Sequence, residues 1–180
     1  MCSIVLSRTK STGLVCLTSS ITPSKAIKFG RVNSSVYLTA GNGYGSTNTK
    51  IRRFTNNTVS GTDMTYADSA TAGASITINV TGTYTIDRVD FFSGANADVG
   101  MSVNSNQLAT NCSTITAANR IAIIEFPTIT TTAVASSGSS ASAISRTRYF
   151  TVGDVIRPHD NLQNDTTSAV YSWMAITRVN

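Results

Sequence analysis

His159 stands alone as the chain's histidine, after Pro158 and beside Asp160. A histidine next to a carboxylate is part of a nucleophilic triad only when a nucleophile is held against the imidazole. The pair follows a Gly153-Asp154 turn by a few residues, so it reads as a surface loop. A glycosidase would need two placed carboxylates. Asp87 and Asp90 are near in sequence, but three positions along a strand put them on opposite faces. Asp63 with Asp68, or Asp154 with Asp160 and Asp165, could offer oxygen ligands to calcium. Neither set matches a calcium-loop spacing, and acids in turns are ordinarily solvated. Cys2, Cys16 and Cys112 are an odd number at no metal spacing, which points to thiols of a chain made in a reducing cytosol. Phosphate-loop, dinucleotide and zinc signatures are absent from the sequence. The expectation is a protein without catalytic residues, cofactor or metal, and an esterase or glycan hydrolase is rejected for want of a constellation.

The charge distribution is more specific than any of these residues. The net charge is +5, yet the first 53 residues hold Arg8, Lys10, Lys25, Lys28, Arg31, Lys50, Arg52 and Arg53 and no acid. Such asymmetry marks an arm for an acidic partner. The cations are single and interleaved with Ser and Thr, whereas nucleic-acid binders cluster theirs, so a protein surface fits better than nucleic acid. A solvated basic face is the plainer alternative. The opening Met1-Cys2-Ser3-Ile4-Val5-Leu6 is too short for a signal peptide, and no run approaches the ~18 apolar residues of a membrane span.

The elements that must carry these residues are strands. Charged residues are 13% of the chain, Glu occurs once at Glu125, and 24 Ser with 28 Thr dominate. That composition disfavours long helices and suits pleated sheet with Ser-, Asn- and Gly-rich turns. Ala74, Ile76, Ile78 and Val80 alternate strictly with Ser75, Thr77 and Asn79. Tyr84 to Val89, Val99 to Val103, Ile121 to Phe126 (stopped by Pro127), Arg148 to Val152 and Ala169 to Ile176 read as further strands. The last is apolar on both faces, as a central or interface strand would be. A Ser- and Thr-rich stretch, 128–142, reads as a loop, flexible after Ala135. Three glycines in 41–45 mark a joint. The predicted organisation is a basic extension over 1–48 and an antiparallel β-sandwich over 49–180.

Residues 74–179 resemble the complement-type, TNF-like jelly roll. The landmarks are Gly82-x-Tyr84 opening a strand, Val103-Asn104-Ser105 where that family usually has Asn-Gly, Val152-Gly153-Asp154-Val155-Ile156 as the Gly-Asp turn, and Ser172-Trp173-Met174-Ala175-Ile176 as the final strand. The gap between Glu125 and Tyr149 is longer than usual. Residues 48–86, with Thr49-Lys50-Ile51-Arg52-Arg53-Phe54, Thr65-Tyr66-Ala67-Asp68-Ser69 and Gly73-Ala74-Ser75, are similar to a segment of bacteriophage virion proteins carrying this module. The resemblance implies a homotrimer, a virion setting and no enzymatic activity. It leads to the expectation of a capsid decoration or cement protein that stabilises the head lattice. Arg8, Lys10, Lys25, Lys28 and Arg31 would dock on the major capsid protein or another virion protein. A receptor-binding tip or tail-attached module is the alternative, since one fold serves both. Tyr149, Phe150, Tyr171 and Trp173 are candidates for the trimer interface, with ordinary core as the equal alternative.

Overall fold

Alternation of period two puts every second side chain on one sheet face, and two such faces bury each other. The computed structural model describes residues 34–93, 98–125, 139–160 and 171–179, and these form ten antiparallel strands. They are β1 (Ser35–Tyr44), β2 (Arg52–Ser60), β3 (Met64–Ser69), β4 (Gly73–Ile78), β5 (Gly82–Ser93), β6 (Asp98–Val103), β7 (Arg120–Glu125), β8 (Ser139–Phe150), β9 (Val155–Asp160) and β10 (Trp173–Arg178). One sheet has the order β2-β1-β10-β5-β8, the other β3-β4-β9-β6-β7. Consecutive strands thus change sheets repeatedly, as in a jelly roll. The expected all-β sandwich is the observed fold.

Between the sheets lie Val36, Leu38, Ile76, Ile78, Tyr84, Ile86, Val99, Met101, Ile156, Met174 and Ile176, all at most 1% exposed. Each comes from the inward phase of its strand, and the predicted phases of β4 and β10 hold. β10 is central, between β1 and β5. Gly153 takes φ +91° in the turn from β8 to β9, a conformation open to glycine and costly for other residues. Asn104 ends β6 at φ +51°, where its short polar side chain is tolerated. Its amide donates to Asp154 Oδ1 (2.7 Å), which stitches Asn104 to the neighbouring turn.

Two expectations about the chain's layout change. β1 pairs with both β10 and β2, so residues 34–48 belong to the sandwich and not to the extension. The short apolar run Val36-Tyr37-Leu38 misled because a lone three-residue alternation carries no partner information. β8 begins at Ser139, inside the stretch read as a loop, and pairs with β5 from Gly82 to Ser93. Ser and Ala alternation gives no hydropathy contrast there, and the long partner strand supplies the order.

A connection from Asn104 to Asn119 crosses the outer face of the second sheet. Cys112 in it is buried against Gly100: a Cβ at Gly100 would stand 2.5 Å from Cys112 Sγ and 2.9 Å from the His159 carbonyl oxygen. His159 Nε2 donates to the Thr110 carbonyl in the same strap (2.6 Å). His159 is fully buried, so the expected surface loop is instead the end of a central strand. Burial holds its imidazole below the ordinary histidine range, and Arg88, Arg157 and Lys50 add to that effect.

Candidate functional site

Sheet registration lines up the outward side chains of the first sheet in rows. Thr39, Trp173, Val89 and Ala143 are neighbours across β1, β10, β5 and β8. Tyr37, Ala175, Asp87 and Ser145 form the next row. Among the described outward positions of these four strands only Asp87 is charged, and Ser145 donates to it (2.6 Å). Tyr37 leans on Trp173 with ring centroids 6.2 Å apart, and Phe91 on Tyr171 at 5.6 Å. Tyr37, Tyr149 and Tyr171 are 47%, 63% and 66% exposed, and Trp173 is half-buried. A nearly uncharged face with exposed aromatic rings is what an assembly surface presents.

The structure therefore divides the four interface candidates. Tyr149 and Trp173 lie on the outward face, and Tyr171 joins it through Phe91. Phe150 does not: it is 1% exposed and packs edge-on against Tyr84 in the core. Phe150 and Tyr149 are adjacent, so strand geometry sends them to opposite sides. Sequence reading missed Tyr37 because it lay in the supposed extension. Arg8, Lys10, Lys25, Lys28 and Arg31 lie outside the described residues.

Beneath this face a charge cluster ties the two sheets together. Arg52 opens β2, Arg88 and Asp90 lie on the inward side of β5, and Asp160 ends β9. All four side chains are fully buried. Arg88 Nη2 lies 2.6 Å from Asp90 Oδ2 and 2.6 Å from Asp160 Oδ2. Arg52 Nε donates to Asp90 Oδ1 (3.0 Å), and its Nη2 donates to the Phe91 carbonyl (2.9 Å). Ser172, just before β10, donates to Asp90 and accepts from the Phe91 amide (2.9 Å). Tyr44 donates to Asp160 (3.3 Å), and its ring lies 5.0 Å from the Arg52 guanidinium carbon. Two guanidinium groups face two carboxyl groups, and the hydrogen bonds supply what burial removes.

Asp160, expected among solvated turn acids, is the link from the second sheet. Asp63 and Asp68, offered as calcium ligands, are instead paired with Arg178 (2.9 Å) and Arg53 (3.0 Å). Asp154 caps its turn through the Thr151 amide (2.8 Å), and Asp165 lies outside the described residues. Asp87 and Asp90 do face opposite ways, as strand spacing required.

The cluster's two carboxyls are pushed apart. Burial raises Asp160 to about 7 against the pull of Arg88, with the Asp90 charge adding to the rise. Asp90 is buried too, but Arg88 and Arg52 overcome that and hold it at about 2. A raised folded-state value means that Asp160 contributes stability present below the unfolded value of about 4 and lost as pH climbs through 7. Asp90 has the opposite sign, its contribution present above about 4 and lost as pH falls toward 2. Of these two carboxyls only Asp160 changes its contribution between pH 4 and 8. The stability advantage of wild type over Asp160→Asn should shrink across that window by about 2–4 kcal/mol. Urea titrations of both proteins at several pH values measure it, and a constant difference refutes it.

No protein-family model matches the sequence, and no curated protein matches it either. Solved structures do. Crystal structures of murine APRIL at pH 5.0, 8.0 and 8.5 superpose with TM-scores of 0.53, 0.53 and 0.51 at 11%, 10% and 11% identity. Each match covers 82% of this chain and 99% of the other. At that identity the likeness establishes the TNF-like jelly-roll fold.

Proposed function

We propose that the chain is a structural protein of a phage particle, a trimer of jelly rolls that decorates the head and stabilises its lattice. The observation that carries this reading is the outward face of the first sheet, with Tyr37, Trp173, Tyr149 and Tyr171 around an almost uncharged centre. A closed cyclic assembly buries such a face without creating filaments.

The charge distribution supports the docking half. Lys50, Arg52 and Arg53, counted in the basic segment, belong to the sandwich: Arg52 joins the buried cluster and Arg53 pairs with Asp68. From residue 34 onward nine basic and nine acidic residues cancel. The whole net charge of +5 therefore sits in the first 33 residues, on Arg8, Lys10, Lys25, Lys28 and Arg31. An electroneutral body with a cationic leader fits attachment to an acidic protein lattice by charge complementarity. The virion setting rests on the likeness of residues 48–86 to phage proteins.

The test is removal of residues 1–31, which leaves β1 intact. The truncated protein should fold and self-associate as the full chain does, but should no longer co-sediment with capsids. Retained capsid binding would overturn the docking role. Copy number on purified particles checks the location. Hundreds of copies support decoration, whereas a few to dozens would place the protein on the tail as a receptor-binding module.

A further inference from the structure

The second sheet carries a different feature on its outer side. Arg157 on β9 and Arg120 on β7 both register with Ser102 on β6, between them. The neighbours Met101 and Ile156 point into the core, so Ser102 and Arg157 point outward. Arg120 shares that outer side, because its Nη1 donates to the Ser113 carbonyl in the strap (3.2 Å). With strands about 4.8 Å apart, the two arginine backbones stand roughly 10 Å from each other across the serine.

This row lacks what surrounds the chain's other half-buried and buried arginines. Arg52, Arg53, Arg88 and Arg178 each have an aspartate partner. Among the described residues neither Arg157 nor Arg120 has one. Arg157 is half-buried, and burial alone lowers its guanidinium from the ordinary range. Ser102 is fully buried, and its Oγ has no hydrogen-bond partner. A buried hydroxyl left without a partner is destabilising, and two like charges flanking it add repulsion. A bound anion would relieve both.

We propose that Arg157, Arg120 and Ser102 form a binding site for a tetrahedral oxyanion of the phosphate or sulfate class. Arginines on the two flanking strands and a serine on the strand between them supply three separate donor groups, which suits a tetrahedral ion. A planar carboxylate is satisfied by one arginine in bidentate contact. The site lies on the strap side of the second sheet, so self-association through the aromatic face of the first sheet does not cover it.

The experiment uses the full-length protein. Inorganic phosphate and sulfate are titrated at constant ionic strength, with chloride as the control, by calorimetry and by thermal melting. Either oxyanion should bind with saturation at one site per chain and raise the melting temperature where chloride does not. Arg157→Gln and Arg120→Gln should each weaken binding at least tenfold, and Ser102→Ala should weaken it several-fold. Arg148→Gln, an exposed arginine on the other sheet, should bind as wild type does. Circular dichroism establishes that each variant is folded, and Ser102→Ala retains the test if an arginine variant is not. Stabilisation equal to that of chloride would overturn the proposal. So would wild-type affinity in both glutamine variants, or in a folded Ser102→Ala.

Discussion

Asp90→Asn is expected to destabilise the sandwich by about 3–5 kcal/mol, because removing one partner leaves buried charge uncompensated. Asp90 is the only carboxylate of the cluster that meets both arginines: Arg52 and Arg88 each contact it. The amide that replaces it brings donors toward two guanidinium groups that can only donate. Asp160 contacts Arg88 alone among the arginines and holds a proton more readily, so Asp160→Asn should cost less at neutral pH. A domain's whole stability is about 5–15 kcal/mol, so Asp90→Asn should lower the urea midpoint sharply or leave the chain insoluble. Equal midpoints for the two variants would show that the cluster is not organised around Asp90. A double-mutant cycle with Arg88→Met separates the pair's coupling from the cost of each orphaned charge, since Met restores an apolar filler of similar length. Replacing a whole cluster by apolar residues can even stabilise. What such a change should erode is the alignment between sheets, because the charged groups of β2, β5 and β9 bond in one register only.

Much of this could be read from residue order, and the failures share one cause. Period-two alternation placed β4, β5 and β10 correctly, because Ile76, Ile78, Tyr84, Ile86, Met174 and Ile176 contrast with polar neighbours. The same phase runs on through Arg88 and Asp90, and through Ile156, Pro158 and Asp160. Charged residues on an inward phase were the available sign of a buried ion cluster. Arg88 and Asp90 are two apart on one strand, but the partners that tie the strands together lay far in sequence: 38 positions separate Arg52 from Asp90, and 72 separate Arg88 from Asp160. Local pattern cannot distinguish an inward charge that finds a partner from a strand that has ended. For the same reason His159-Asp160 looked like a loop and Lys50 to Arg53 like part of a basic arm. Chain topology, not local composition, assigns them to the interior.

Tyr37→Glu and Trp173→Glu should each dissolve the proposed trimer. Both rings sit on the outward face, in contact with each other, on the neighbouring strands β1 and β10. Aromatic residues of this kind contribute about 2 kcal/mol or more each at interface centres, a factor of about 30 in the constant for one contact. A cyclic trimer repeats the loss at three interfaces, and a carboxylate buried there without a cation adds its own desolvation. Tyr37 is 47% exposed in the single chain, so its replacement should spare the monomer fold, which the core beneath holds. Trp173 is half-buried, and its variant should lose some thermal stability as well. Val152→Glu, at a more exposed apolar residue in the turn from β8 to β9, is the control and should remain trimeric. Sedimentation equilibrium should give three times the 19.0 kDa chain mass for wild type and Val152→Glu, and the chain mass for the two face variants. Wild type sedimenting as a monomer would remove the assembly face from the functional reading. A trimer that survives both substitutions would move its interface to another surface of the sandwich. The oxyanion site is separable from either outcome, because a monomer retains β6, β7 and β9 and should still bind phosphate.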